Sequence, residues 1–575
     1  MLDLVIRNGL VVDGSGSAGI RADVGIDKGK ITAIGRITES ARDTLDADGH
    51  VVAPGFIDSH THMDAQMHWD PLGSNSCWHG VTSVVMGNCG FTLAPSRSHQ
   101  REFIVRNFER SEDIPGAAMM AGIKWDWETF PEYIDVIDRL PKGINYATNI
   151  GHSALRTWAM GEAGFEREAN ADEISRMKAQ LREALRAGAI GLSTSRQHHA
   201  TPDGSPVASR LASWDEVRQL VNTMAEMGAG IFQIAIEQVA RVADPALRAE
   251  FFSRMRSLAV QSKVPFTFGI VPMGQTRGAW EDQLALLDST AAAGGRMFGQ
   301  CHSRGVTVLL SFRTALPFDR LPDWRPIRAL PLEEQARLLR DPVVRQRLVQ
   351  AAHHGDYGKS IGTEAFKPNY DHLRVFSGPY PPYLTVAEAA RRRGVDPVEL
   401  MIDLALESNF EQFFLQPAGG DEFSDADVLQ IMKHPRTMMT FSDSGAHVSQ
   451  IADSSIQTHL LGYWTRQRQV FTLEEAVHMM TQEPAQAWGF EGRGLLREGM
   501  VADIAVFDFE RLAPSMPEVV FDLPTGARRL VQKSTGYLAS IVGGQIMLRE
   551  GRHTGALPGV LLRGPLARAA QGRAS

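Results

Sequence analysis

The chain has 575 residues, 43% of them hydrophobic, more than one ordinary core supports, so one large domain of about 400 residues with a smaller companion is expected. A net charge of −8 from interspersed charges, with no basic tract to neutralise phosphates, excludes a nucleic-acid partner, and the three cysteines, Cys77, Cys89 and Cys301, fit a reducing cytoplasm rather than a disulfide framework. The opening MLDLVIRNGLVVDG lacks the features of a signal peptide and no apolar run approaches the roughly 18 residues of a membrane span, so no membrane partner is expected either.

Residues 1 to 54 give short β-type runs, LDLVIRNGLVVDG, ADVGIDKGKITAIG and TLDADGHVVAPG, divided by Gly and Asp turn signals. The same pattern returns over 486 to 575 in GRGLLREGMVADIAVFD, TGYLASIVGGQIMLREG and ALPGVLLRG, with Gly543 and Gly544 placed as a hairpin turn. Two β-rich ends around a different middle predict one small β-sandwich domain assembled from both termini.

Residues 55 to 485 form the predicted main domain. Apolar runs recur there as GFIDSHTH (55–62), GVTSVVMGN (80–88), INYATNIGH (144–152), AIGLSTS (189–195), GAGIFQIAIE (228–237), VPFTFGIV (264–271), VTVLLSF (306–312) and TMMTFSDSG (437–445). Helical candidates such as ISRMKAQLREALRAG, WDEVRQLVNTMAEMG and ALRAEFFSRMRSLAVQ lie between them, with apolar residues at three- and four-residue steps. Eight strands alternating with helices predict an α/β fold closed as a (β/α)8, TIM-like barrel. An open doubly wound sheet is the rival, but no Gly-rich phosphate loop follows the first strand. The stretch from 313 to 435 is too long for a simple connection and reads as an insert, with helices in LPLEEQARLLRDPVVRQRLVQAAHH and VAEAARRRGVDPVELMIDLALE around the proline-rich loop FSGPYPPYL.

His60 and His62 end the first run, and residues i and i+2 of a strand point to one side, so both imidazoles can face a single cation. Asp443 ends the eighth run, next to the first in a closed barrel, where it can ligate a metal and carry a proton; the bland alternative is a helix cap. Cys89, just past the second run, is either a thiolate ligand or a small buried hydrophobe.

These residues resemble the amidohydrolase superfamily, and within it the N-acyl-D-amino-acid deacylase family. VVAPGFIDSHTHMD, HGVTSVVMGNCG, GHSALR, FSDSGAH and EGRGLLREGMVADIAVFD carry the likeness over nearly the whole chain. It implies that His60 and His62 bind metal, that Cys89 stands where relatives use a bridging carboxylated lysine, and that Asp443 is both ligand and catalytic base. Relatives also place metal-binding histidines at the ends of strands five and six, but GIFQIAIEQ and VPFTFGIVPMG contain none. One ion, expected to be zinc, is therefore favoured over two. Gln233 or Glu237 can offer oxygen in place of nitrogen, although Glu237 can equally pair with an arginine; AIGLSTS supplies no lysine to carboxylate.

Further histidines are His152, His198, His199, His302 and His447, of which His152 and His447 adjoin the family-like motifs and are the preferred catalytic candidates. His198 and His199 are candidate substrate contacts, and Arg156 can bind a substrate carboxylate or serve a structural ion pair. The expected activity is hydrolysis of an amide-type C–N bond in a small molecule, an N-acyl D-amino acid in the first place. A cyclic amide, carbamate, ester or deaminated ring is the alternative, and a non-catalytic binding protein on the same barrel the remote one. The sequence is compatible with a homo-oligomer.

Overall fold

The computed structural model describes residues 1–575 apart from 243, 273–277, 359–362, 418–423 and 572–575. Met273 and Gly274 of the run VPFTFGIVPMG therefore lie outside the described residues.

Both ends of the chain enter one nine-stranded sheet. From one edge it runs Arg552–His553, Gln545–Arg549, Tyr537–Val542, Ile504–Phe507, Val51–Pro54, Leu2–Val11, Ile20–Asp27 and Lys30–Gly35, with Ala41–Asp46 beside Leu2–Val11. The seam between the termini is the antiparallel pairing of Ile504–Phe507 with Val51–Pro54. Alternating inward residues from both ends, among them Ile6, Val24, Val52, Ile504 and Ile541, share one apolar cluster. Gly543 and Gly544 turn the hairpin between Tyr537–Val542 and Gln545–Arg549 with φ of 52° and 78°, the left-handed pair that a two-residue hairpin requires.

The middle of the chain lays down eight parallel strand positions. Phe56–Asp58 pairs with Val81–Met86, which pairs with Asn145–Thr148. Past a break in that third strand, Ile150–Gly151 pairs with Gly191–Ser195, and the ladder continues through Ile231–Ala235, Phe266–Gly269, Met297–Cys301 and Thr437–Met439. Phe441–Ser444, the continuation of the eighth position, pairs in parallel with His60–Thr61, the continuation of the first. Helices cover the strands: Ala171–Ala187 buries Ile174, Met177, Leu181 and Leu185, and Trp214–Met227 buries Val217, Leu220, Val221 and Met224. Each such side chain contributes about 1.5–3 kcal/mol when fully buried. No helix among the described residues is long and apolar enough to cross a membrane.

The seventh strand is not where the sequence pattern put it. Thr307–Leu310, from VTVLLSF, joins an antiparallel three-stranded sheet with Phe413–Pro417 and Arg374–Phe376, while Met297–Cys301 takes the seventh parallel position. Short apolar runs look alike by periodicity, and MFGQC is the weaker of the two because Gly299 and Gln300 interrupt it. The long connection thus begins after Cys301, and it carries its own core around Phe312, Phe318, Trp324, Leu348, Met401 and Phe414. Its two expected helices are each broken, into Leu332–Leu339 with Pro342–His354 and Val386–Arg393 with Pro397–Glu407. In both cases an Asp-Pro step starts the second piece: Asp341 and Asp396 accept hydrogen bonds from free helical N–H groups, and proline fits the first turn.

Candidate metal centre

A cavity of about 300 Å³ opens where the parallel strands end, and His60, His62, Cys89, Glu112 and Asp443 all line it. Each arrives from a different constraint. His60 and His62, two residues apart on an extended strand end, turn their rings to the same side with centroids 5.6 Å apart. Asp443 has a φ of 59° and Cys89 a φ of 54°, so both sit in the left-handed region that non-glycine residues rarely occupy. Such conformations persist where the surroundings enforce them. Here Ser442 Oγ accepts from Ser444 N at 2.9 Å, and the Cys89 amide donates to Gln233 Oε1 at 2.7 Å.

The donor atoms converge. Asp443 Oδ1 is 3.2 Å from His62 Nε2 and 3.7 Å from His60 Nε2, and Cys89 Sγ is 3.4 Å from His60 Nε2. Gln300, on the seventh strand, accepts from His60 Nδ1 at 2.7 Å, which leaves the Nε2 lone pair facing the cavity. Ligands at about 2.0–2.1 Å from a tetrahedral zinc stand about 3.3 Å apart, so each of these pairs is close enough to share a cation, and among the described residues the donors fall into two triads that share His62, namely His60–His62–Cys89 and His62–Glu112–Asp443. Burial holds His60 near 4, hence a neutral ligand at ordinary pH. Against burial, the charge of Glu112 and the contact with Asp443 raise His62. Burial pushes the Cys89 thiol up to about 11, whereas the hydrogen bond and charge of His62 outweigh burial and hold Asp443 low.

Glu112 was not among the sequence candidates. It is 1% exposed, and its Oε2 lies 3.6 Å from His62 Nε2. It follows the helix Arg101–Glu109 in RSEDIPG, a polar stretch with the look of any exposed turn, so nothing local marked it.

The other candidates divide. His198, His199 and His447 line the cavity. His199 Nδ1 is 2.8 Å from Ser195 Oγ, and burial lowers the ring to about 3. His152 and Arg156 are not among the lining residues: His152 Nε2 lies 2.8 Å from Glu216 Oε1, and the Arg156 guanidinium grips the same carboxylate at 2.7 and 2.5 Å. All three are at most 1% exposed, and Arg156 takes part in the structural ion pair that the sequence offered as its alternative. Glu237 pairs with Arg196 and Arg254, the bland alternative for that residue, and Gln233 spends its oxygen on the Cys89 amide. His302 follows the seventh strand, Met297–Cys301, and meets Asp453 at 3.3 Å.

A family model described as the amidohydrolase family matches residues 43–547. A D-aminoacylase of Alcaligenes xylosoxydans xylosoxydans is 28% identical over 569 residues, covering 97% of each chain. An N-acyl-D-glutamate deacylase of the same organism is 29% identical over 538 residues, 91% of this chain and 90% of that one. The crystal structure of N-acyl-D-glutamate deacylase from Bordetella bronchiseptica, complexed with zinc and a phosphonate inhibitor, matches with a TM-score of 0.64 at 24% identity, over 98% of this chain and 99% of that chain, a likeness of fold. With the family model spanning most of its length, the chain belongs to the amidohydrolase family.

Proposed function

We propose that the chain is a metal-dependent hydrolase that cleaves the amide C–N bond of an N-acyl D-amino acid. One observation carries this reading: His60, His62 and Asp443 bring their donor atoms together in a small-molecule-sized cavity. The relatives add the substrate class, since those of similar length include D-aminoacylase and N-acyl-D-glutamate deacylase. In this reading the eight parallel strand positions form a closed (β/α)8 barrel over 55–485, with an insert that contains 313–435. Residues 1–54 and 486–575 form a β-sandwich domain.

His60, His62 and Asp443 would hold one divalent cation, zinc in the first place, with Cys89 as a further candidate donor. Such a cation supplies Lewis acidity toward the scissile carbonyl and acidifies water beside it. Asp443 Oδ accepts the proton of the attacking water and returns it to the departing nitrogen, as its ionised carboxylate allows. Val271, Val306, Val308 and Ile451 give the cavity an apolar wall for an acyl chain, and Arg241 offers a guanidinium for a carboxylate.

The test is turnover of paired N-acyl D- and L-amino acids by zinc-loaded protein, beside D443N. Hydrolysis of the D series that D443N abolishes supports the reading. A protein that binds no divalent metal, or an amidase activity unchanged in D443N, would sink it in favour of a binding protein.

A further inference from the structure

We infer that Glu112 is a ligand of a cation that it shares with His62 and Asp443, delivered from the segment between the second and third strands in place of the histidines that strands five and six lack. This rests on the metal-hydrolase reading and adds a donor to it. His62, Glu112 and Asp443 carry ligand atoms that all lie within 4.8 Å of one another, and the 3.6 Å from Glu112 Oε2 to His62 Nε2 is close to the roughly 3.3 Å between neighbouring ligands of a tetrahedral zinc.

Apart from the His62 imidazole, the carboxyl has no ion-pair partner among the described residues. Its Oε1 is buried and has no hydrogen-bond partner among the described residues, and no lysine or arginine among them pairs with it. An ionised carboxylate in such a place is strongly disfavoured, the more so with Asp443 as a second negative charge on the same imidazole. A divalent cation would remove the conflict: the carboxylates of Glu112 and Asp443 would balance its two charges, and the His62 imidazole would serve as a neutral donor.

The mounting is built to hold the residue there. The Glu112 carbonyl accepts the His447 amide, and Ser111 Oγ donates to Ala200 O at 3.1 Å. Asp113, at a φ of 49°, accepts from Ser449 Oγ at 2.6 Å and from Gln450 Nε2 at 3.0 Å. The turn carrying Glu112 is thus tied to the segment that follows Asp443, so two carboxylates from distant parts of the chain share one support. On the opposite wall, strand five presents Gln233, whose oxygen is engaged, and the described sixth strand, Phe266–Gly269, presents no ligand side chain.

The experiment compares wild type, E112Q and E112D for zinc affinity by chelator competition and for the visible spectrum of the cobalt-substituted proteins. Melting of the metal-free forms checks that each variant folds. Wild type should bind one zinc, E112Q should bind it at least 100-fold more weakly with an altered cobalt spectrum, and E112D should fall between. If E112Q keeps wild-type zinc affinity and an unchanged cobalt spectrum, Glu112 is not a ligand, although the hydrolase reading stands. A wild type without zinc affinity overturns both. Should E112Q fail to fold, E112D alone decides by the same two readouts.

Discussion

Gln300 and His60 meet from the seventh and first strands, with the amide oxygen 2.7 Å from Nδ1 of the ring. The amide cannot be turned the other way without loss, because its Nε2 donates to Ser59 O at 3.3 Å. Gln300 therefore fixes His60 in the tautomer that directs its Nε2 lone pair at the cavity.

Replacing Gln300 with Leu should weaken metal binding by about 10- to 100-fold, the range for a lost partner of a ligating histidine. Chelator competition measures it, and circular dichroism should show the fold intact. Q300E, which keeps an acceptor at the same place, should bind at least as tightly as wild type. Equal affinity of Q300L and wild type would remove the orienting role.

Asp443→Asn should lower kcat by about 10²- to 10⁴-fold, because the amide can neither take nor return a proton. The pH dependence has a definite sign. With its carboxyl held below the ordinary value of 3.8 by His62 against burial, Asp443 stays ionised from neutral pH down into the usual carboxylate range. Any loss of rate on going into mild acid must then come from another group, so an acid limb of the kcat profile near neutrality should persist in the residual activity of D443N, and its disappearance there would contradict the low value of Asp443.

Arg156, His152 and Glu216 give a prediction about stability rather than catalysis. Arg156→Met leaves Glu216 buried without its main countercharge and should cost about 3–5 kcal/mol in urea unfolding. KM should be unchanged, since Arg156 does not reach the cavity. Although burial opposes it, Glu216 is held below its ordinary value of 4.5 by the bond to His152 and the charges of His152 and Arg156. A depressed acid stabilises the fold above its unfolded value, so this contribution is complete above about 4.5 and is lost as pH falls through the lower folded value. R156M should therefore lose less stability on acidification than wild type does.

What was legible in the sequence follows from how local each signal is. His60, His62 and Asp443 end apolar strands with motifs of their own, and Phe441–Ser444 pairs with His60–Thr61 as the strand count predicts, so their meeting could be inferred. Gln300 could not, because Gly299 and Gln300 weaken the strand that carries it, and Thr307–Leu310 is the more apolar run. Arg156 closes the family-like motif GHSALR, but its partner Glu216 is 60 residues on, and only packing shows that the guanidinium meets it. Glu112 lies in a turn whose burial depends on the segment 447–450, far along the chain.

Arg241 offers the sharpest test of substrate class. It lines the cavity with the metal-site residues, and burial lowers its guanidinium only to about 10, so it stays charged at neutral pH. If it receives the carboxylate of an N-acyl amino acid, Arg241→Met removes a charge-assisted bond of about 1.5–3 kcal/mol. KM for that substrate should then rise by about 10- to 100-fold. Removing a contact made equally in the ground and transition states leaves kcat nearly unchanged. The decisive comparison is an N-acyl amine of the same size without the carboxylate: wild type and R241M should handle it alike, and both poorly. If R241M instead lowers kcat for both compounds equally, Arg241 acts on the reacting centre, and the carboxylate of the substrate must be bound elsewhere.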